Sequence, residues 1–204
     1  MKGENPHPGR IGPNAILRII EALDPGATLT REVLERAGLA GYLDHPPATM
    51  VEEREVQALH RALRETLGVP QARSIGREGG LRTGDYLLAN RIPPLAQGLL
   101  KALPAPLAGR LLLKAIARNA WTFTGSGRFS YQPGRPHRLS IAGCAICHGA
   151  RSERPLCDYY GATFERLFQV LVADRTAVIE VQCQAQGHPA CVFEVHLEGH
   201  GRGF

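Results

Sequence analysis

The sequence predicts an α+β fold, with an antiparallel sheet of about four strands flanked by helices. Three observations predict it. The first half of the chain carries only helical periodicity. The second half reads strand, strand, helix, strand, strand. The last two strands meet through Gln186-Gly187-His188-Pro189, a hairpin turn.

Each element has its own signal. Pro13 and Asn14 open a run in which Ile16, Leu17, Ile19, Ile20 and Leu23 recur at helical spacing, and Asp24-Pro25-Gly26 closes it. Thr30 is expected to cap a second helix through Val33, Leu34 and Ala37, ended by Gly38. A longer helix is predicted over residues 49–67, with Val56, Leu59, Leu63 and Leu67 inward and Gly68 as its stop. Residues 70–92 read as another helix, against the propensity of Gly76, Gly79, Gly80 and Gly84. A short helix follows Pro93-Pro94. Beyond Pro104 and Pro106 a further helix runs to about residue 120, where Arg110, Lys114 and Arg118 form a basic stripe opposite Leu107, Leu111 and Leu112. Residues 121–132 alternate as a strand around Gly125-Ser126-Gly127, and 138–142 form a second strand. Residues 156–172 read as a helix with Phe164, Leu167, Phe168 and Leu171 inward. Residues 177–182 and 191–197 complete the sheet. The chain divides into an N-terminal helical part, 1–90, and a sheet-bearing domain, 91–204, within one compact unit.

The net charge of +5 and pI near 9.2 favour an anionic partner, such as a carboxylate ligand or a membrane surface. The cations are spread out, with no Lys/Arg block, so nucleic acid is not expected as a partner. No apolar run approaches the roughly 18 residues of a membrane span, and no apolar signal core follows the first charges. A cytoplasmic protein is expected, with its five cysteines reduced.

Cys144-Ala145-Ile146-Cys147-His148 has the C-x-x-C-H pattern of c-type haem attachment, but that chemistry belongs to exported proteins. The other cysteines suggest a metal. Cys157 begins a helix, Cys183 ends one strand of the hairpin, and Cys191 begins the next. With Glu180 they can converge and hold Zn²⁺ tetrahedrally. There is a geometric objection. Residues three apart on a regular strand face opposite ways, so Glu180 and Cys183 share a metal only if the strand is bulged or ends there. Cys147 or His188 is the alternative fourth ligand. Equally, all five cysteines can pack as small buried hydrophobes.

The segment PLCDYYGATFERLF…VIEVQCQAQGHPACVFEV resembles the vinyl-4-reductase domain family, which includes aromatic-sensing domains of bacterial activators. More distant relatives of its fold are trafficking-complex subunits and haem-based nitric oxide sensors. The resemblance implies zinc on Cys157, Glu180, Cys183 and Cys191, with Cys147 in reserve. It also implies a frequently dimeric antiparallel sheet with a ligand pocket among its helices. The phrase GRIGPNAILRIIEAL extends the resemblance to family members labelled as 4-vinyl reductases of bacteriochlorophyll biosynthesis. Such a label implies a magnesium tetrapyrrole substrate and contact with other enzymes of that pathway.

Vinyl reduction needs electrons from a nicotinamide, a flavin or an iron–sulfur protein. GSGRFS at Gly125 lacks the last glycine of the dinucleotide pattern, and GREGGLRTG at Gly76 fits neither that pattern nor a P-loop. The preferred reading is therefore a tetrapyrrole binder or carrier that supports 4-vinyl reduction. The reductase itself, using NADPH or another external donor, is the alternative, and a ligand-sensing regulator is a third. Trp121, Phe123, Phe129 and Tyr131 are candidate pocket walls, and Arg110, Lys114 and Arg118 candidate carboxylate anchors. His60 and His148 are candidate axial ligands for magnesium, whereas His137, His196 and His200 have no stronger claim.

Overall fold

The computed structural model describes residues 9–197, so His200 lies outside the described residues. Two short strands, β1 (Arg10–Ile11) and β2 (Val51–Glu52), pair antiparallel around two helices, α1 (Asn14–Leu23) and α2 (Thr28–Ala37). Next come α3 (Glu53–Asn90), α4 (Pro94–Ala102) and α5 (Ala105–Arg118). The second half comprises β3 (Arg128–Gln132), β4 (His137–Ala142), α6 (Asp158–Leu171), β5 (Ala177–Gln182) and β6 (Cys191–His196). The four strands form one antiparallel sheet in the order β3-β4-β6-β5. This is the α+β architecture that the sequence predicts.

One face of the sheet carries the core. Leu139 and Ile141 of β4 pair with Phe193 and Cys191 of β6, and all four are buried. Against them lies the apolar face of α6, with Phe164, Leu167, Phe168 and Leu171 inward. Phe164 and Phe193 meet edge to face, ring centroids 5.6 Å apart.

The long helix α3 covers the other side of α6. Gly68, at φ 74° and ψ 163°, breaks its helical geometry just before Pro70, so two helices meet there at a kink. The first is capped at Glu52, whose N–H donates to Glu55 Oε2 at 3.1 Å. The glycines of the second are contact points. A Cβ on Gly80 would lie 2.3 Å from the Tyr159 carbonyl oxygen, and one on Gly79 would lie 2.6 Å from Ile19 Cδ1. The propensity lost at these positions allows two helix backbones to approach. Arg73 then donates two hydrogen bonds to Asp158, and Arg77 pairs with Glu165, fastening α3 to α6.

Three local expectations are corrected. Thr30 does not cap α2, which begins at Thr28 after Ala27. Its hydroxyl reaches back to the Leu23 and Asp24 carbonyls, closing the end of α1. Trp121 and Phe123 do not share a strand. Residues Ala120–Thr122 form a 3₁₀ turn that finishes α5, because the Thr124 N–H donates to the Ala120 carbonyl and the Gly12 N–H to the Thr122 carbonyl. Leu107 and Leu111 are exposed, since α5 turns Ala108, Leu112, Leu113 and Ile116 inward instead. No helix among the described residues is long and apolar enough to cross a membrane.

Candidate metal centre and ligand cavity

Five buried thiols converge at one end of the sheet. Cys144 and Cys147 lie in the turn that leaves β4, Cys157 precedes α6, Cys183 follows β5, and Cys191 starts β6. Their sulfurs approach closely without disulfides. Cys157 Sγ lies 3.4 Å from Cys191 Sγ and 3.9 Å from Cys183 Sγ, and the Cys183–Cys191 separation is 3.8 Å. Zinc–sulfur bonds of about 2.3 Å in a tetrahedron set sulfur atoms about 3.8 Å apart. The ligand atoms of Cys157, Glu180, Cys183 and Cys191 all lie within 4.8 Å of one another.

The objection to Glu180 is answered by the strand. Glu180 pairs with Phe193, but Gln182 pairs with Val192, so β5 carries one extra residue at a bulge. That residue flips the alternation and returns Glu180 and Cys183 to the same side. Glu180 Oε2 accepts the Cys157 backbone N–H at 2.8 Å, while Oε1 is buried without a partner. Burial, then the neighbouring Cys183 sulfur, push this carboxyl up to about 9. A buried carboxylate oxygen with no donor, facing thiols, is what a cation would satisfy, so the donor set fits zinc.

Without a cation, five adjacent thiols cannot ionise together. Cys147 is pulled down by hydrogen bonds from its neighbours, Cys144 first, whereas burial pushes Cys157 up. Cys144, which the sequence reading placed outside the zinc set, joins the cluster at 3.4 Å from Cys157, and Cys147 lies 3.5 Å from Cys191. Their C-x-x-C spacing was the available signal. His188 is exposed on the hairpin turn and His148 on the loop after Cys147.

His60 is buried on α3, edge-on to Tyr159, with Nε2 unpartnered. Burial, then Arg64, lower its pKa to about 3, so it is neutral. The space beside it is about 10 Å³, roughly the room of one water and not of a macrocycle.

A larger cavity, of about 740 Å³, opens at the opposite end of the sheet. Its apolar wall comes from the end of α6, with Val170 and Leu171, and from Val195 and Leu197. Lys101, Arg135, His137 and His196 supply its polar groups. His137 Nδ1 accepts the Gly134 N–H at 3.0 Å, which leaves the ring proton on Nε2, a buried donor with no partner. Burial, then Arg110, lower the His137 pKa. No linear motif marks this cavity.

The predicted pocket residues are distributed as follows. Phe123, Phe129 and Tyr131 join one aromatic cluster with Tyr160 and Phe164, and Trp121 stands half-buried in the 3₁₀ turn. Arg110, Lys114 and Arg118 are exposed along α5, next to the leucines that face solvent.

Residues 137–197 match the model of the vinyl-4-reductase domain family. Over 194 residues the chain is 48% identical to the bacteriochlorophyll synthase 23 kDa chain of Cereibacter sphaeroides, covering 93% of this chain and 92% of that one. It is 40% identical over 205 residues to the protein of the same name from Rhodobacter capsulatus, covering 98% and 94%. Among solved structures it resembles an Fe(II) unliganded H-NOX protein variant from K. algicida, with TM-score 0.59 and 9% identity over 94% of this chain and 98% of that one. That last likeness concerns the fold alone.

Proposed function

Because this chain belongs to the bacteriochlorophyll synthase 23 kDa chain family, it takes part in bacteriochlorophyll biosynthesis, and we propose that it does so by binding a magnesium tetrapyrrole intermediate. In this reading it presents or carries a divinyl protochlorophyllide-like substrate for 4-vinyl reduction. The observation that carries the reading is the 740 Å³ cavity, which combines an apolar wall with Lys101, Arg135, His137 and His196. Its size falls within the range of pockets that enclose drug-sized and cofactor-sized ligands, about 300–1,000 Å³. The cations suit a ring carboxylate, and the unpartnered His137 N–H offers a buried donor.

Zinc on Cys157, Glu180, Cys183 and Cys191 belongs to the same proposal, as a closed structural ion. It would tie the hairpin to the start of α6. A cytoplasmic location and handover to another pathway enzyme fit a poorly soluble cargo. The exposed Leu95, Leu99, Leu107 and Leu111 on α4 and α5 support such a contact. A homodimer is supported by the outer edge strand β5, where Ile179 and Val181 are exposed.

The test is a spectral titration of the purified protein with a divinyl magnesium tetrapyrrole, followed by NADPH. A saturable shift of the main absorption band without conversion supports a binder or carrier. Conversion to the monovinyl product that requires NADPH and scales with protein would overturn it in favour of the reductase.

A further inference from the structure

We propose that the cysteine cluster holds two thiolate-seeking divalent cations, zinc first, bridged by the sulfurs of Cys157 and Cys191. This rests on the zinc reading above and adds a second position to it. One tetrahedral ion takes four ligands, yet five thiols and one carboxylate converge here. The six ligand atoms fall into two groups of four, each within 4.8 Å internally. One is Cys144, Cys147, Cys157 and Cys191; the other is Cys157, Glu180, Cys183 and Cys191. The groups share Cys157 and Cys191. Two tetrahedra with a common edge are what a doubly thiolate-bridged pair of ions requires. Cys144 and Cys147 end one side, and Glu180 and Cys183 end the other.

The distances agree. Cys144 lies 3.4 Å from Cys157, Cys147 lies 3.5 Å from Cys191, and the shared edge is 3.4 Å. The edges to Cys183, at 3.9 and 3.8 Å, match a single tetrahedron, whereas the shared edge is shorter. With metal–sulfur bonds of about 2.3 Å, that edge places two ions about 3.1 Å apart. Charge points the same way. Six ionised ligands carry six negative charges in a buried site. One divalent ion offsets two of them and two ions offset four, with the Arg64 guanidinium beside Cys147 and Cys157. The Gln184 N–H, directed at Cys191 Sγ at 3.4 Å, also favours a thiolate at a bridging position.

The two positions differ in access. Cys144 and Cys147 line an open surface depression of about 1,030 Å³, together with His148 and Gln184–Gly187. Cys183 and Glu180 do not contribute to it. The ion on the Cys144 side is therefore the exchangeable one.

The experiment loads the full-length protein with zinc, removes free metal by gel filtration and measures zinc per chain. Two ions are expected in the wild type, and one in a Cys144→Ser/Cys147→Ser variant whose circular dichroism is unchanged. X-ray absorption of the wild type, which needs no variant, should show metal–metal scattering at about 3.1 Å. A mild chelator should remove one ion well before the other. One ion per folded wild-type chain, with no metal–metal scattering, would overturn the second position and leave the first intact. Full metal content in a Cys183→Ser variant would instead overturn the Glu180-containing site, and no bound zinc at all would overturn both.

Discussion

The two ends of the sheet are built on opposite principles. At one end, five thiols and a carboxylate crowd into contact distance, and the sulfurs are buried among one another. At the other, β4 and β6 end in His137 and His196, helices α4 to α6 stand apart, and a cavity of about 740 Å³ opens between them. The fold concentrates its fixed chemistry where chain segments must be tied together, and it leaves room where a ligand must enter and leave. The α6 helix spans both ends. Cys157 precedes its first turn, and Val170 and Leu171 close its last.

Breaking the dense end should have the largest effect. Cys157→Ser removes a ligand that both groups of four share. Losing a metal anchor in the core is expected to cost about 4 kcal/mol or more, or to prevent soluble expression. Denaturant melts and zinc content would check this, and an unchanged midpoint would contradict it. The span between the ends comes next. Gly80→Ala drives a methyl into the Tyr159 backbone and should cost about 2 kcal/mol. Gly84→Ala meets the Arg166 side chain rather than backbone and should cost less, so the order of the two melts sharpens the comparison.

Acid should also discriminate. The folded pKa of His60, about 3, lies below its unfolded value, so the neutral form is favoured in the core. That contribution is complete above about pH 6.5 and is lost as pH falls toward 3. Between pH 7 and pH 5 the loss is about 2 kcal/mol. His60→Gln should flatten that part of the pH profile relative to wild type. Equal slopes in the two proteins would contradict a buried neutral imidazole.

The two ends were also unequally legible in the sequence. Cysteine is rare and its positions are fixed by chemistry, so Cys157, Cys183 and Cys191 stood out with Glu180. The bulge that makes Glu180 usable leaves no mark in residue type and emerges only from the pairing register of β5 with β6. Cys144 carried the C-x-x-C spacing of a metal knuckle, but the histidine after Cys147 drew attention to haem attachment. The helices were legible from apolar spacing. The second half of α3 was obscured because its glycines serve a neighbour rather than their own helix. The 121–123 segment alternates in polarity like a strand, yet backbone bonds to Gly12 and within the turn decide its shape. The cavity was not legible. Its residues are ordinary, come from separate segments of the chain, and acquire meaning only where those segments end together.

The most direct test is a tetrapyrrole titration of wild type against a Lys101→Glu/Arg135→Glu variant, with zinc content and melting temperature measured on the same samples. If the open end binds and the dense end only holds, Kd should rise about tenfold, roughly 1.4 kcal/mol, with zinc and melting temperature unchanged. An unchanged Kd would contradict binding at the cavity and return attention to the exposed stripe of Arg110, Lys114 and Arg118.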